Sequence, residues 1–280
     1  MKNEKQNYSV LMSVYKKENP SFFTISIDSM ISQTIQPEQI VIVKDGPLST
    51  ELDSIINKFE KTYPGLFTIV SLRDNVGLGL ALNEGLKKCR NELVARMDAD
   101  DISHKKRCEI QVETFLNNRD LSIVGSIIDE FEKNPDEIIS TRVVPTDYKS
   151  ILKFSRRRNP FNHPSVMYKK SAVLKNNGYG DFRRNQDFDL FVRMLNKGFK
   201  AQNINQSLVL FRADKSNIKR RKSWTKCKGN IMMILNFWKK GYSSFTDFLI
   251  VSLGQVVVYI SPIWLFEWIS NKFLRKSKTI

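Results

Sequence analysis

Four short apolar runs in the first hundred residues, with segments of helical spacing between them, fix the class of fold open to this chain. The runs are "SVLMSVY" (9–15), "QIVIVKD" (39–45), "FTIVSL" (67–72) and "ELVARMD" (92–98). They have the length and the β-branched content of strands. Between them, 21–33, 50–63 and 78–89 carry apolar residues at helical intervals. In 50–63 these are Leu52, Ile55, Ile56, Phe59 and Tyr63, behind Thr50 and Asp53 as a capping pair. In 78–89 they are Leu78, Leu82, Leu86 and Cys89. Strand–helix alternation predicts βαβ units and an α/β fold with a mainly parallel central sheet flanked by helices. Right-handed crossovers bring the C-terminal ends of such strands to one edge, where open α/β sheets bind their ligands. The polar residues at those ends are therefore the ones to interrogate: Glu18, Asp45, Arg73, Asp74, Asp98 and Asp100.

The rhythm loosens beyond residue 105. "LSIVGSIIDEF" (121–131) and "HPSVMY" (163–168) read as further strands, and 187–198 as a helix with Leu190, Phe191, Met194 and Leu195 inward. Residues 219–240 read as a basic helix, and 248–269 is the most apolar stretch of the chain. The chain is 41% hydrophobic and 26% charged, which excludes a disordered protein. Its three cysteines are odd in number and have no ligand spacing, so neither a disulfide framework nor a zinc site is expected. No signal peptide is visible, which points to the cytosol.

"ARMDADD" concentrates acid in a chain of net charge +16. Asp98 and Asp100 are two apart and point to the same side of an extended backbone. Hard oxygen ligands so arranged suit Mn²⁺ or Mg²⁺, which complete their shell with water and substrate phosphates. The alternative is a solvated turn in which Asp101 or Ser103 caps the next helix.

At this point the chain resembles bacterial family-2 glycosyltransferases of the GT-A fold, of the kind that build capsule, lipopolysaccharide or exopolysaccharide. The matching pieces run in order: "SVLMSVYKKE", "IVIVKDG", "NVGLGLALNEGL", "ARMDADD", "NPFNHPSVMYKK", "NQDFDLFVRML" and "LVLFRADKSN". They cover roughly residues 8–217. The resemblance implies an inverting, metal-dependent hexosyl transfer from a nucleotide-sugar, with UDP as its nucleotide. It implies that Asp45 accepts from the uracil ring, that Glu18 lies near the uridine and that Arg73 reaches the nucleotide or a phosphate. Asp98 then sits by ribose and metal, Asp100 on the metal, and His163 in the acceptor or donor-sugar pocket. Asp187 falls at the family's general base, although Asp189 is close enough to compete. Two departures stand out. Gln186 replaces an acid that many members carry, and Asp214 stands near a position where relatives often have histidine, leaving Arg212 or Lys215 to compensate at the pyrophosphate.

The domains implied are a catalytic unit over 1–217, with a nucleotide-binding half at about 8–103 and an acceptor half at about 104–217, and a C-terminal region over 218–280. Residues 206–280 carry 14 Lys/Arg against 3 Asp/Glu, so the positive charge sits mainly on the tail. A basic tail interleaved with apolar sequence suggests an anionic membrane surface. Nucleic acid is not expected, since no groove-reading motif accompanies the charge. Residues 248–266 are borderline in length for a spanning helix, with Gln255 and Pro262 inside and basic residues on both flanks. Two readings stay open. One is an interfacial hairpin broken near Pro262, with Trp264 and Trp268 at headgroup level. The other is a helical pair that covers the catalytic body or a second copy in a homodimer. The first places the chain peripherally or monotopically on the cytoplasmic face of the cell membrane, where a polyprenyl-diphosphate-linked glycan would be its acceptor. Nucleotidyl transfer also uses paired carboxylates, but "SVYKKENPS" lacks the glycine-rich phosphate loop that it would need.

Overall fold

A computed structural model describes residues 7–213 and 223–261. The first half alternates as the sequence predicts: β1 (Tyr8–Val14), α1 (Pro20–Ile31), β2 (Gln39–Lys44), α2 (Thr50–Thr62), β3 (Phe67–Ser71), α3 (Leu78–Lys88) and β4 (Leu93–Met97). Then follow β5 (Ile102–Ser103), α4 (Arg107–Asn117), β6 (Leu121–Phe131), β7 (Ile138–Arg142), α5 (Tyr148–Ser155), β8 (Met167–Lys169), α6 (Lys170–Leu174), α7 (Gln186–Asn196) and β9 (Lys200–Arg212). Two further helices, α8 (Trp224–Lys239) and α9 (Phe245–Ile260), close the described chain.

The described strands form one sheet in the order β3-β2-β1-β4-β8-β6-β9-β5, with β7 on β6. The sheet is mixed: strands of one direction form most of it, as expected, and antiparallel strands join them. Strands β1 to β4, β6 and β9 all run one way, but the three-residue β8 lies antiparallel between β4 and β6. The reason is the loop before it. Residues 163–168 do not form the expected strand: His163–Ser165 is a 3₁₀ turn, and only Met167–Lys169 pairs. Carbonyls around this short strand also accept from side chains of α4. Arg107, fully buried, donates to the Arg96 carbonyl at 2.6 Å and the Val166 carbonyl at 3.3 Å. Gln111 donates to the carbonyls of Val124 and Ser165. Each such carbonyl left bare would cost about 1–3 kcal/mol.

Helices cover both faces. Phe23 and Ile27 of α1, Leu52, Ile56 and Phe59 of α2 and Val112 and Phe115 of α4 pack on one. Leu82 and Leu86 of α3 and Leu190, Phe191, Met194 and Leu195 of α7 pack on the other. Each fully buried Leu, Ile or Phe contributes about 1.5–3 kcal/mol. The cap of α2 is not the Thr50/Asp53 pair. Ser49 accepts from Leu52 N, and Asp53 pairs with Lys44 at 2.6 Å.

The last two helices form an antiparallel hairpin. Trp238 near the end of α8 meets Phe245 and Phe248 at the start of α9, and Trp224 meets Tyr259 at the other end. The hairpin is seated on the catalytic body through Met233, Ile234 and Phe237, which pack on Phe188 and Val192 of α7. Asp247 pairs with Arg156 at 2.7 Å and Arg157 at 2.5 Å. The helix that enters the apolar stretch 248–269 begins ahead of it, at a Ser244–Asp247 capping box, and has Ser261 as its C-cap. No helix among the described residues is long and apolar enough to cross a membrane. The stretch from Pro262 on, with Trp264 and Trp268, and residues Asp214 and Lys215 lie outside the described residues.

Candidate active site

The six strands of common direction end at one edge, and the acidic cluster sits there. Asp98, Asp100 and Asp101 bring ligand oxygens within 4.8 Å of one another. Two bare carboxylates about 4 Å apart repel by about 4 kcal/mol at an effective dielectric near 20. The consequence is visible in their protonation. Burial, with Asp98 and Glu18 nearby, pushes the Asp100 carboxyl up to about 7. Burial, with Asp98 and Asp100 nearby, raises Asp101 as well.

Neither Asp101 nor Ser103 caps a helix, which corrects the alternative drawn from the sequence. Asp101 is fully buried and accepts from the backbone N–H of Arg212 at 2.9 Å, because β5 pairs with β9 just beyond it. Ser103 is taken up by Gln33. The second carboxylate oxygen of Asp101 has no hydrogen-bond partner. A buried carboxyl oxygen without a partner, beside two more carboxyl groups, is a donor set suited to a small divalent cation, whose charge would favour the ionised form. These residues therefore fit the Mn²⁺ or Mg²⁺ expected from the sequence, with Asp101 added to Asp98 and Asp100.

Glu18, on the loop after β1, is half-buried, and burial raises its carboxyl with Asp98 contributing. Facing this acid is Arg212 at the end of β9. Its guanidinium lies 3.7 Å from the Phe22 ring centroid and 4.6 Å from that of Phe131, and its Nε donates to the Asp100 carbonyl at 3.1 Å. The two rings hold a cation over the carboxylates, where an anionic diphosphate needs one.

Asp45 is buried at the end of β2, and its carboxylate accepts from Asn75 Nδ2 and from the N–H groups of Val76 and Gly77. It thereby fixes the entry to α3. Gly46 is required in that turn: its φ is +84°, and a Cβ would stand 2.9 Å from Asn75 N. Arg73 is exposed, makes no hydrogen bond or ion pair with the described residues, and is not brought onto the acidic cluster.

Asp187 lies in the first turn of α7, where free N–H groups favour negative charge. Its Oδ2 accepts from Asn159 Nδ2 at 2.6 Å, and burial raises its carboxyl. Asp189, the competing base, is 4% exposed and bound to Arg193 at 2.7–2.8 Å, so its carboxylate is committed to holding the helix. His163 is structural in its contacts: Nε2 bonds Tyr179 OH at 3.0 Å, the ring packs edge-on to Tyr179 and Phe191, and burial depresses its pKa.

Two residues that sequence reasoning passed over complete the centre. Arg96, on β4, is 1% exposed and ion-paired with Asp98. It also bears electrostatically on Asp187, Tyr179 and His163, and its Nε and Nη1 have no partner. Asn159 opens the "NPFNHPS" segment, which Asn162 and Ser165 lock onto β6 through the Ser126 carbonyl. An arginine amid the apolar residues of a central strand, two before the first acid, was the signal available for Arg96.

A sheet of this topology with acids at its carboxyl edge defines the GT-A class. The described fold is similar to a mannosyltransferase from Pyrobaculum calidifontis solved with GDP-Man and Mn²⁺, at TM-score 0.62 and 14% identity over 94% of this chain and 84% of that one. It is also similar to S. aureus TarS 1–349 in complex with UDP, at TM-score 0.60 and 13% identity over 95% and 78%. The sequence profile of Glycosyl transferase family 2 matches residues 9–177. A UDP-Gal:alpha-D-GlcNAc-diphosphoundecaprenol beta-1,3-galactosyltransferase of Escherichia coli is 34% identical over 99% of both chains. The amylovoran biosynthesis glycosyltransferase AmsE of Erwinia amylovora is 32% identical over 81% of this chain and 84% of its own. This chain belongs to glycosyltransferase family 2. The nucleotidyl-transfer alternative is set aside with that assignment.

Proposed function

We propose that this glycosyltransferase moves a hexose from a UDP-sugar, with inversion, onto a hydroxyl of a polyprenyl-diphosphate-linked glycan, at the cytoplasmic face of the cell membrane. The observation that carries this reading is one buried guanidinium, Arg96, between Asp98 of the acidic cluster and the isolated carboxylate Asp187. Its influence on both carboxylates supports a diphosphate-binding half and a proton-accepting half that share one floor.

In this mechanism Arg212 and the Asp98–Asp101 edge receive the donor diphosphate, and Glu18 and Asp45 border the nucleoside. Mn²⁺ or Mg²⁺ held by Asp98, Asp100 and Asp101 would supply Lewis-acid stabilisation of the departing UDP. Asp187 accepts the proton of the acceptor hydroxyl as its oxygen bonds the anomeric carbon and the bond from that carbon to the phosphate oxygen breaks. Asn159 keeps the Asp187 carboxylate aimed. The lipid-linked acceptor is supported by the Escherichia coli relative and by the apolar outer face of α9, with Ile250, Leu253, Val257 and Ile260 48–70% exposed.

The test is UDP release by the purified protein with a panel of UDP-sugars, Mn²⁺ or Mg²⁺ and a sugar-diphosphate lipid acceptor. Asp187→Asn is expected to lose about 10²–10⁴-fold in kcat. Asp100→Asn or chelation is expected to abolish divalent-ion uptake in calorimetry along with transfer. Full activity in both variants would refute the assignment.

A further inference from the structure

A groove of about 280 Å³ opens between the loop that leads into α7 and the first turns of α8. Its walls combine two chemistries. Arg183 and Arg184 stand on the loop and Lys226 on α8, while Phe182, Met232 and Met233 supply apolar surface. Among the described residues no carboxylate lines it. Both arginines are exposed and make no hydrogen bond or ion pair with described residues, so their charge is uncommitted.

The groove is built. Asn185 adopts a left-handed backbone (φ 61°), and its amide, instead of capping α7, donates to Asn230 on α8 at 2.8 Å. Asn230 in turn donates to Gln255 on α9 at 2.9 Å. This chain of amides sets the spacing between the loop and α8. It also places the groove at the start of α7, with its lining residue Asn185 two positions before Asp187. At its far side Met232 is 46% exposed and continues into the outer surface of the hairpin, which carries Trp224 at 53% and Leu253 at 66% exposure.

Cations next to the base and apolar surface leading away from it match one kind of ligand: an anionic diphosphate joined to a long hydrocarbon. We infer that this groove seats the diphosphate and first isoprenoid units of the acceptor lipid, with Arg183 and Arg184 on the phosphates and Phe182, Met232 and Met233 on the chain. The inference rests on the lipid-linked acceptor proposed above and gives that acceptor a site of its own, distinct from the donor diphosphate's.

The experiment compares wild type, the double variant Arg183→Ala/Arg184→Ala, and Met232→Glu. Substrates are a UDP-sugar and GlcNAc-diphosphate esters of a long-chain and of a short-chain alcohol. Loss of charge-assisted hydrogen bonds predicts that the double variant raises KM for both acceptors by about tenfold or more, with the donor KM unchanged. Met232→Glu is expected to raise KM for the long-chain acceptor alone. An unchanged acceptor KM in both variants overturns the inference, and so does a donor KM that rises in parallel, which would make the groove a donor site. Should wild type transfer to no lipid diphosphate, the proposed function falls, and equilibrium binding of a long-chain alkyl diphosphate still decides the groove. Tight binding lost in the double variant supports it, and equal binding by both proteins overturns it.

Discussion

Two unanswered nitrogens on a buried guanidinium are an unusual thing for a fold to keep, since each buried orphan costs about 1–3 kcal/mol. Arg96 keeps them at the centre of the site, and its single ion pair to Asp98 leaves the rest of its fork for a ligand or water. Asp98 and Asp100 were legible because carboxylates spaced two apart at a strand end have a chemical reading. Asp187 was legible only through resemblance, since by itself it is an acid near a helix start. Asn159 was not legible at all: its partner lies 28 positions away, and only the fold brings the two to 2.6 Å. Its role is open to a pH measurement. The amide favours the charged form of Asp187, whereas burial raises that carboxyl. Removing the amide raises it further, and the base works ionised. Asn159→Ala is therefore expected to move the acid limb of kcat/KM to higher pH, and an unmoved or lowered limb would count against Asn159 as the residue that tunes the base.

Among the elements, β1 to β4 and α1 to α3 emerge within a few residues of their sequence boundaries, because each has a clean period and its own turn chemistry. The later half resisted for a physical reason. β8 has three residues and β5 two, too short for any alternation, and the segment leading into β8 is held by Arg107 and Gln111 from a helix elsewhere. β9, thirteen residues long, was read only as the motif "LVLFRADKSN", since "KAQNINQS" is polar where it runs toward the surface. The α3 interface is tight enough to test. A Cβ on Gly85 would stand 2.5 Å from Leu11 and Val43 side-chain carbons, so Gly85→Ala is expected to cost about 1–3 kcal/mol in urea unfolding. The hairpin hangs on Asp247. Burial alone would raise that carboxyl, but Ser244, Arg157 and Arg156 outweigh it and hold it well below the usual range. Its contribution is complete above the unfolded value of about 3.9 and is lost as pH falls through the lower folded value. Asp247→Ala removes the capping box, worth about 1–2 kcal/mol. Amide exchange in α9 is expected to quicken while that in β1 stays slow, and equal quickening in both would show that the anchor is not local.

For the molecule as a whole, charge and hydrophobicity divide between a nearly balanced α/β body and a basic, apolar hairpin. The sequence showed that division without showing that the hairpin's inner face is already occupied by α7. Its outer face is the part left for a bilayer. Burying one Leu or Ile there contributes about 1.5–3 kcal/mol. Ile250→Glu/Leu253→Glu is therefore expected to reduce sedimentation with anionic vesicles by about tenfold or more, with transfer to a short-chain acceptor retained. Undiminished sedimentation would rule out this face as the anchor. The Asn185–Asn230–Gln255 relay then acquires a geometric meaning. In the membrane-bound arrangement proposed above, it would tie the helix resting on lipid to the helix carrying the proton acceptor, so that three amides would set the altitude of the reaction above the membrane. A hydroxyl on the sugar nearest the lipid would be presented at that altitude, while one several sugars further out would overshoot it. Such an enzyme measures its substrate by elevation and is suited to the opening additions of a glycan.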